Sequence, residues 1–479
     1  MRWRAQFDRY ARNRDDAQIA PGNSVFEEFL AAKRANAVTR ALGAGRTVAK
    51  RVARGIVRRV TNNFRERTRG TIPARLLAFR FKTSPLLQAL APTRRRDWLG
   101  PFDRVVKGAD LDIPLLELSF LDHPEATLAS LARVIKAETG ANGIQLHFDD
   151  DRCLDIAPYL VLAMVKRDLA PIFKGGRIKR ELQQVIEAVR LRQPLNMGRF
   201  KLNQWDSYNV HAFPLHQRRA ANSSRSETRH LDPQTRERVQ DALVDSINDW
   251  LGHPELDMEL TRDGRGKIKN IAGEMLDNAE RHSTPETMDG DWTVAGFMAR
   301  RNAGQVDEHF QCSVAFVSLG ASVADSLDSS PPAVAQAVDR YASAHKNSTE
   351  SEVLKTVMAI QDGITRVAES ALEGRGGTGF QDVFDLVVDL GDTHLDGCGA
   401  KVTIVSGNTC LKMHGPHAIG KRAAGDPYAP REIWFNASNN RNLPPDPAFA
   451  FRLQQRFPGT LVTMSFVFTP MRIDGEKNG

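Results

Sequence analysis

Cysteine is scarce in this chain of 479 residues: Cys153, Cys312, Cys398 and Cys410 are the only four, and no two form a C-x-x-C pair. That pattern excludes a disulfide framework and a paired-thiolate zinc site, and it sets the expectation of a reducing, cytoplasmic setting. No apolar run approaches the roughly 20 residues of a membrane helix, so no transmembrane segment is expected. No charged, apolar and small pattern is read near residue 1, so no secretory leader is expected. The phosphate loop G-x-x-x-x-G-K-[ST] does not occur. Aromatic residues hardly interleave with the N-terminal arginines, which argues against a surface that stacks bases.

What is present is an ordinary globular composition with an uneven charge. Hydrophobic residues make up 41% and charged residues 26%, enough for two or three domains with sizeable cores. Residues 1–100 hold 23 Lys and Arg against 7 Asp and Glu, a net of +16; the chain as a whole is +8, so the remainder is −8. A basic arm on a mildly acidic body implies a polyanion or an acidic partner surface as the arm's target.

Within the arm, Ser24 and Glu27 make a capping box ahead of Phe26, Phe29 and Leu30. Val48, Val52, Ile56 and Val60 recur every four residues, with Arg51, Arg54, Arg58 and Arg59 between them. Such a helix suits anionic lipid, nucleic-acid phosphates or a protein partner, or packs on its own protein with a solvated arginine face. Arg94-Arg95-Arg96 closes the arm.

From 113 to 200 the pattern alternates strand and helix. Strands are expected at 115–120 and 144–148, and helices at 126–139, 156–169 and 177–192. Asp149-Asp150-Asp151 reads as a solvated turn. This order resembles a STAS domain, the small regulatory fold of anti-sigma-factor antagonists. Where that family often carries a phosphorylatable hydroxyl, Leu154-Asp155-Ile156-Ala157 offers none, which implies a docking role. A polar linker follows, and then a helix from about 233 to 251 with Val239, Leu243 and Ile247 on one face.

The next stretch, Ile268 to Ser283, predicts a two-faced helix. Ile268, Ala272, Met275 and Ala279 suit burial, while Glu274, Asn278 and His282, joined by Arg281, line another side. Strands are expected at 292–300 and 312–319, the latter ending at Gly320. A mobile segment with Ser326–Ser330 and Tyr341–Glu350 follows, then a helix from 351 to 372. Gly374-Arg375-Gly376-Gly377-Thr378-Gly379 leads into another helix. Glycines ahead of a helix let backbone N–H groups approach an anion closely. A hairpin about Gly407-Asn408 and a last strand, 461–468, complete the chain.

That sequence of parts resembles the GHKL (Bergerat-fold) ATP-binding domain over about residues 233–470. The carrying motifs are Glu274-x-x-x-Asn278-Ala279-x-Arg281-His282, the Gly374–Phe380 loop and Gly459-Thr460 before the last strand. The resemblance implies that Asn278 ligates a Mg²⁺ bridging the phosphates and that Glu274 acts as catalytic base if ATP is hydrolysed. Arg281 and His282 would meet the phosphates. Gly374, Gly376, Gly377, Thr378 and Gly379 would cradle them, Ser318 would lie at the adenine, and Gly320 and Thr460 would also bind the cofactor. The family has D-x-G-x-G where this chain has Ser318-Leu319-Gly320-Ala321-Ser322. A neutral hydroxyl in place of that carboxylate implies weaker selectivity for adenine, with Asp325 and Asp328 as candidate substitutes.

The expected architecture is α/β (α+β). A basic helical arm spans 1–105, a STAS-like α/β domain 110–215 and a linker 216–232. A GHKL α/β sandwich spans 233–472, a mixed sheet with helices on one face. The expected function is an ATP-binding regulatory protein, by Mg-dependent hydrolysis or by a nucleotide-gated switch whose lid is about 323–375. The rival readings are a protein serine kinase of the anti-sigma-factor type and a non-hydrolysing nucleotide-sensing adaptor. The expected cofactors are ATP and Mg²⁺. The expected partners are a protein, nucleic acid or an anionic surface met through residues 1–100, and a second copy of the chain.

Overall fold

Trp292 through Ala299 are buried without a break, and so are most of Phe310 through Leu319. A strand whose two sides are both apolar needs a layer on each face, and these strands have both. The computed structural model describes residues 79–99, 111–202, 209–218, 235–283, 290–361 without 304 and 306, 383, 399–421 without 418 and 419, and 431–469. The readings at Ser24–Glu27, residues 48–60, the glycine loop 374–379 and its helix other than Val383, which is helical and buried, lie outside those residues.

In chain order the helices are α1 (Pro85–Leu90), α2 (Arg94–Asp97), α3 (Pro124–Gly140), α4 (Ala157–Lys166), α5 (Arg180–Ala188), α6 (Arg236–Leu251), α7 (Arg262–Ser283), α8 (Val323–Ser326), α9 (Pro332–His345) and α10 (Ser351–Ala359). The strands are β1 (Leu111–Leu115), β2 (Ile144–Phe148), β3 (Phe173–Gly175), β4 (Val210–Arg218), β5 (Asp291–Arg301), β6 (His309–Leu319), β7 (Lys401–Met413) and β8 (Ala450–Phe468). The protein is mixed α/β, with one sheet ordered β1-β2-β3, in which β2 and β3 run parallel. The second sheet, ordered β4-β5-β6-β8-β7, is antiparallel at every pairing, so the mixed sheet expected there is corrected. No helix among the described residues is long and apolar enough to cross a membrane.

The chain divides into two compact units. One comprises residues 1–114, 132–148 and 165–177; the other comprises 115–131, 149–164 and 178–479. In the first, Arg94 and Glu138 form a buried ion pair at 2.7 Å, 4% and 0% exposed. Arg94 also donates to the carbonyls of Phe79 and Lys82, and Glu138 accepts from the Ala170 amide. One arginine of the triplet read as the end of a basic arm is therefore a structural group, with each polar atom answered as burial demands.

In the second unit, one face of the five-stranded sheet carries Trp292, Val294 and Met298 beside Phe310, Cys312, Val314 and Phe316, and then Val462, Met464 and Phe466. Val239, Leu243 and Ile247 of α6, with Ile268, Ala272, Met275 and Leu276 of α7, complete that core. α6 starts at the Thr235 cap, whose hydroxyl accepts from the Arg238 amide, and stops at Gly252. The opposite face is met by residues 154–156. The Ile156 amide donates to Ser313 Oγ at 3.2 Å, Thr463 Oγ1 to Asp155 at 2.7 Å, and Gln311 Nε2 to the Leu154 carbonyl at 3.0 Å.

Four local readings are corrected. The strand expected at 115–120 lies at 111–115; beyond it, the amides of Glu117 and Leu118 go to the Asp150 carboxylate and that of Phe120 to Asp155. Backbone donors answered by carboxylates have no need of a neighbouring strand. The hairpin at Gly407-Asn408 is absent: β7 runs straight through, and Gly407 (φ +59°) is a bulge against β8. β8 itself begins at Ala450, 11 residues before the expected strand. The segment read as mobile at 341–350 contains the end of α9, with Tyr341 in the core.

Candidate functional site

The helix α7 has three sides. Its apolar side lies in the core described above. A second side meets α6: Asp277 pairs with Arg236 on α6, Glu280 lies 3.5 Å from the same arginine, and Lys269 reaches Asp241 at 2.7 Å. The third side, at 3.6-residue spacing, holds Glu274, Asn278 and Arg281. Glu274 and Arg281 are exposed and Asn278 is half-buried. Arg281 pairs with Asp277 at 2.8 Å. His282 belongs to the helix, but its side chain lies outside the described residues.

Glu280 fixes where that third side sits relative to the sheet. It accepts from Trp292 Nε1 at 2.9 Å and lies 3.5 Å from Arg218. Trp292 stands opposite Ser318, Ser318 opposite Thr460, and Thr460 opposite Ser406. Directly paired residues share a face, so these four form a row across β5, β6, β8 and β7 on the helix-covered side. The C-terminal end of the α7 stripe and the hydroxyl row therefore meet at the same end of the sheet.

The row is hydrogen-bonded inward. Ser318 Oγ donates to the Thr460 carbonyl at 3.3 Å, and Ser406 Oγ donates to the Gly459 carbonyl at 3.0 Å. Ser406 Oγ accepts from the Val323 amide, at the start of α8, at 2.8 Å. Thr460 Oγ1 lies 2.8 Å from Ser406 Oγ and, with the Ser406 proton already committed, is the donor of that bond. The hydroxyl protons are spent, while Ser318 and Thr460 keep oxygen lone pairs. This end of the sheet accepts hydrogen bonds but has no proton to give.

The strands that build the row depend on glycine. Gly459 has φ +130°, and a Cβ there would lie 2.1 Å from the Ser318 carbonyl oxygen. The Gly320 amide donates to the Pro458 carbonyl. Asp325 and Asp328 do not supply the missing carboxylate. Asp325 closes a capping box with Ser322 and pairs with Arg456; Asp328 pairs with Lys355 at 2.8 Å.

Of the residues read from the sequence, Glu274, Asn278 and Arg281 fall together on α7, and Ser318 and Thr460 fall together on the sheet. Gly374, Gly376, Gly377, Thr378 and Gly379 lie outside the described residues. The lid expected over 323–375 is corrected for its described part: Val353, Leu354, Val357 and Met358 of α10 are core residues. Sequence reasoning missed Ser406, Trp292 and Glu280. A lone serine beside a glycine in an apolar strand was the available signal for Ser406. Cys153, Cys312 and Cys410 are free and buried, and burial pushes the Cys410 thiol up to about 12, so these are packing groups rather than nucleophiles. No protein-family description, curated protein or solved structure matches this chain.

Proposed function

We propose that the second unit binds Mg-ATP and that the protein is a cytoplasmic regulatory ATPase or nucleotide switch of the GHKL kind. The observation that supports this reading is the Trp292 link, which ties α7, through Glu280, to the hydroxyl row at one end of the sheet. A carboxylate, a carboxamide and a guanidinium suit a phosphate chain with its cation. Magnesium takes oxygen ligands and keeps several waters, so the single amide oxygen of Asn278 together with phosphate oxygens satisfies it. The ion would supply charge neutralisation. Arg281 would add a charged donor, and Glu274, exposed beside them, would hold and deprotonate an attacking water.

At the far end, Ser318 and Thr460 offer acceptor lone pairs, which suits the exocyclic amino group of adenine and disfavours the carbonyl oxygen of guanine. A neutral acceptor discriminates less than a carboxylate. That favours a second reading, a nucleotide-sensing adaptor with modest base selectivity and little turnover.

The test is thermal stabilisation by ATP with Mg²⁺. Wild type is expected to shift upward and Asn278→Ala not at all; absence of a shift in wild type rejects the proposal. Glu274→Ala is expected to retain the shift and lose hydrolysis. Stabilisation without measurable hydrolysis in wild type selects the adaptor reading. Phosphate transfer to a co-purifying protein would instead select a serine kinase.

A further inference from the structure

A cavity of about 650 Å³ opens at the β4–β5 edge of the five-stranded sheet. Its floor is the buried Arg301 and Gln184, with Val210 of β4 opposite Ala299 of β5. Its rim is Arg152 after the 149–151 turn, Arg180 and Glu181 at the start of α5, and Arg300. Ala299 and Arg301 alternate with Met298 and Arg300, so this floor belongs to the sheet face opposite α7 and is separate from the nucleotide site proposed above.

Arg301 is a built group. It is 4% exposed, and its Nη1 donates to Glu181 at 3.0 Å, its Nη2 to the Cys153 carbonyl at 2.9 Å and its Nε to Gln311 at 3.0 Å. Arg300 is held by Glu255 at 2.9 Å and by Glu308. Four guanidinium groups line the cavity; Glu181 answers Arg301, Glu255 and Glu308 answer Arg300, and Arg152 and Arg180 stand at its exposed rim. Burial depresses the pKa of Arg301, against Cys153 and Glu181, which raise it, and the positive charge of Arg152 adds to the depression. Like charges facing one cleft call for an anion between them.

We propose that this cleft binds a phosphorylated, hydroxyl-rich small molecule. Guanidinium groups from three elements, the 151–152 turn, α5 and β5, approach from different sides; a tetrahedral phosphate can accept from several sides, whereas a planar carboxylate is matched by a single fork. The volume is several times that of a bare phosphate and lies in the usual range of small-molecule sites. Among the described residues, no aromatic side chain lines the cleft. Gln184, Asn209 and Glu181 instead offer carbonyl, amide and carboxylate partners to hydroxyl groups.

The experiment is calorimetric titration of the full chain with a hexose bisphosphate, inorganic phosphate, AMP and citrate. The hexose bisphosphate is expected to bind at least about tenfold more tightly than each of the others. The double variant Arg152→Ala/Arg180→Ala alters two exposed residues and leaves the Arg301 network in place. It is expected to weaken hexose bisphosphate binding by at least about tenfold with an unchanged circular dichroism spectrum. Asn278→Ala is expected to leave binding intact, which separates this cleft from the Mg-ATP proposal. No binding of the hexose bisphosphate, an unchanged affinity in the double variant, or equal affinity for citrate or AMP would overturn the proposal.

Discussion

Gly459 sits where backbone meets backbone. With φ +130° and the Ser318 carbonyl oxygen 2.1 Å from an added Cβ, no side-chain rearrangement makes room for alanine. Gly459→Ala is expected to lose about 3 kcal/mol or more in urea unfolding, from backbone strain plus displacement of β6 from β8. A loss under about 1 kcal/mol would show that the turn relaxes freely. The glycine of the Gly-Thr pair therefore has a structural cause of its own, and the nucleotide reading rests on Thr460 and Ser318 instead. Asp155 makes a second case. Burial pushes its carboxyl up to about 6, against hydrogen bonds from Thr463, Ala157, Phe120 and Leu121 that pull it down. A folded pKa above the unfolded one contributes stability that is full below the unfolded value, 3.8, and is lost as pH rises through about 6. Between about pH 4 and pH 7, wild type is expected to lose on the order of 2–3 kcal/mol relative to Asp155→Asn. Denaturant midpoints of both proteins across that window measure it, and a constant difference would mean that Asp155 ionises alike in both states.

At the scale of the element, α7 assigns neighbouring residues opposite duties. Asp277 faces Arg236 on α6 and also pairs with Arg281, while Asn278, one residue on, faces away from α6. Asp277→Ala is expected to lower stability by about 1 kcal/mol, the scale of a partly exposed ion pair, and to retain some Mg-ATP stabilisation. Asn278→Ala is expected to leave stability within about 0.5 kcal/mol and to remove the nucleotide shift. Denaturation and ligand-induced melting, run on both variants, read the two duties apart; equal losses in both measurements would show that the helix sides are not separable. This two-sidedness was legible in the sequence because the apolar residues of 268–279 recur at helical spacing. The central strands were legible for a similar reason, since unbroken apolar runs leave few alternatives. The first half of β8 was not: Phe451-Arg452-Leu453-Gln454-Gln455-Arg456 is polar at alternate positions and ends at Pro458-Gly459. Its pairing with β7 across a bulge is a tertiary event. Gly407-Asn408 reads locally as a hairpin turn, but the Asn408 amide donates to Glu352 on α10 and the strand continues. Ser406 gains its place only through β8 and α8, elements far away in the chain.

For the molecule as a whole, the domain read from the sequence at 233–472 leaves out residues 115–131, 149–164 and 178–232 of the second unit. It lacks β4, the edge partner of β5, and it lacks residues 149–164, which bind the sheet face opposite α7. Without the latter, Phe297, Ala315, Val317 and Leu461, all buried on that face, lose part of their cover, and the buried Thr463 loses the carboxylate it donates to. Without β4, the backbone groups of β5 along one edge have no ladder partner. A fragment of residues 233–472 is therefore expected to bind a hydrophobic dye, to associate with itself and to unfold over a broad range. A fragment of 111–472, which keeps both parts, is expected to unfold in one cooperative step with little dye binding. Cooperative unfolding of the shorter fragment would show that the helix-covered face alone suffices. The sequence hid this dependence because Asp155-Ile156-Ala157 looks like the start of an upstream helix in a separate fold. Nothing in its local pattern says that its carboxylate answers Thr463, 308 residues later.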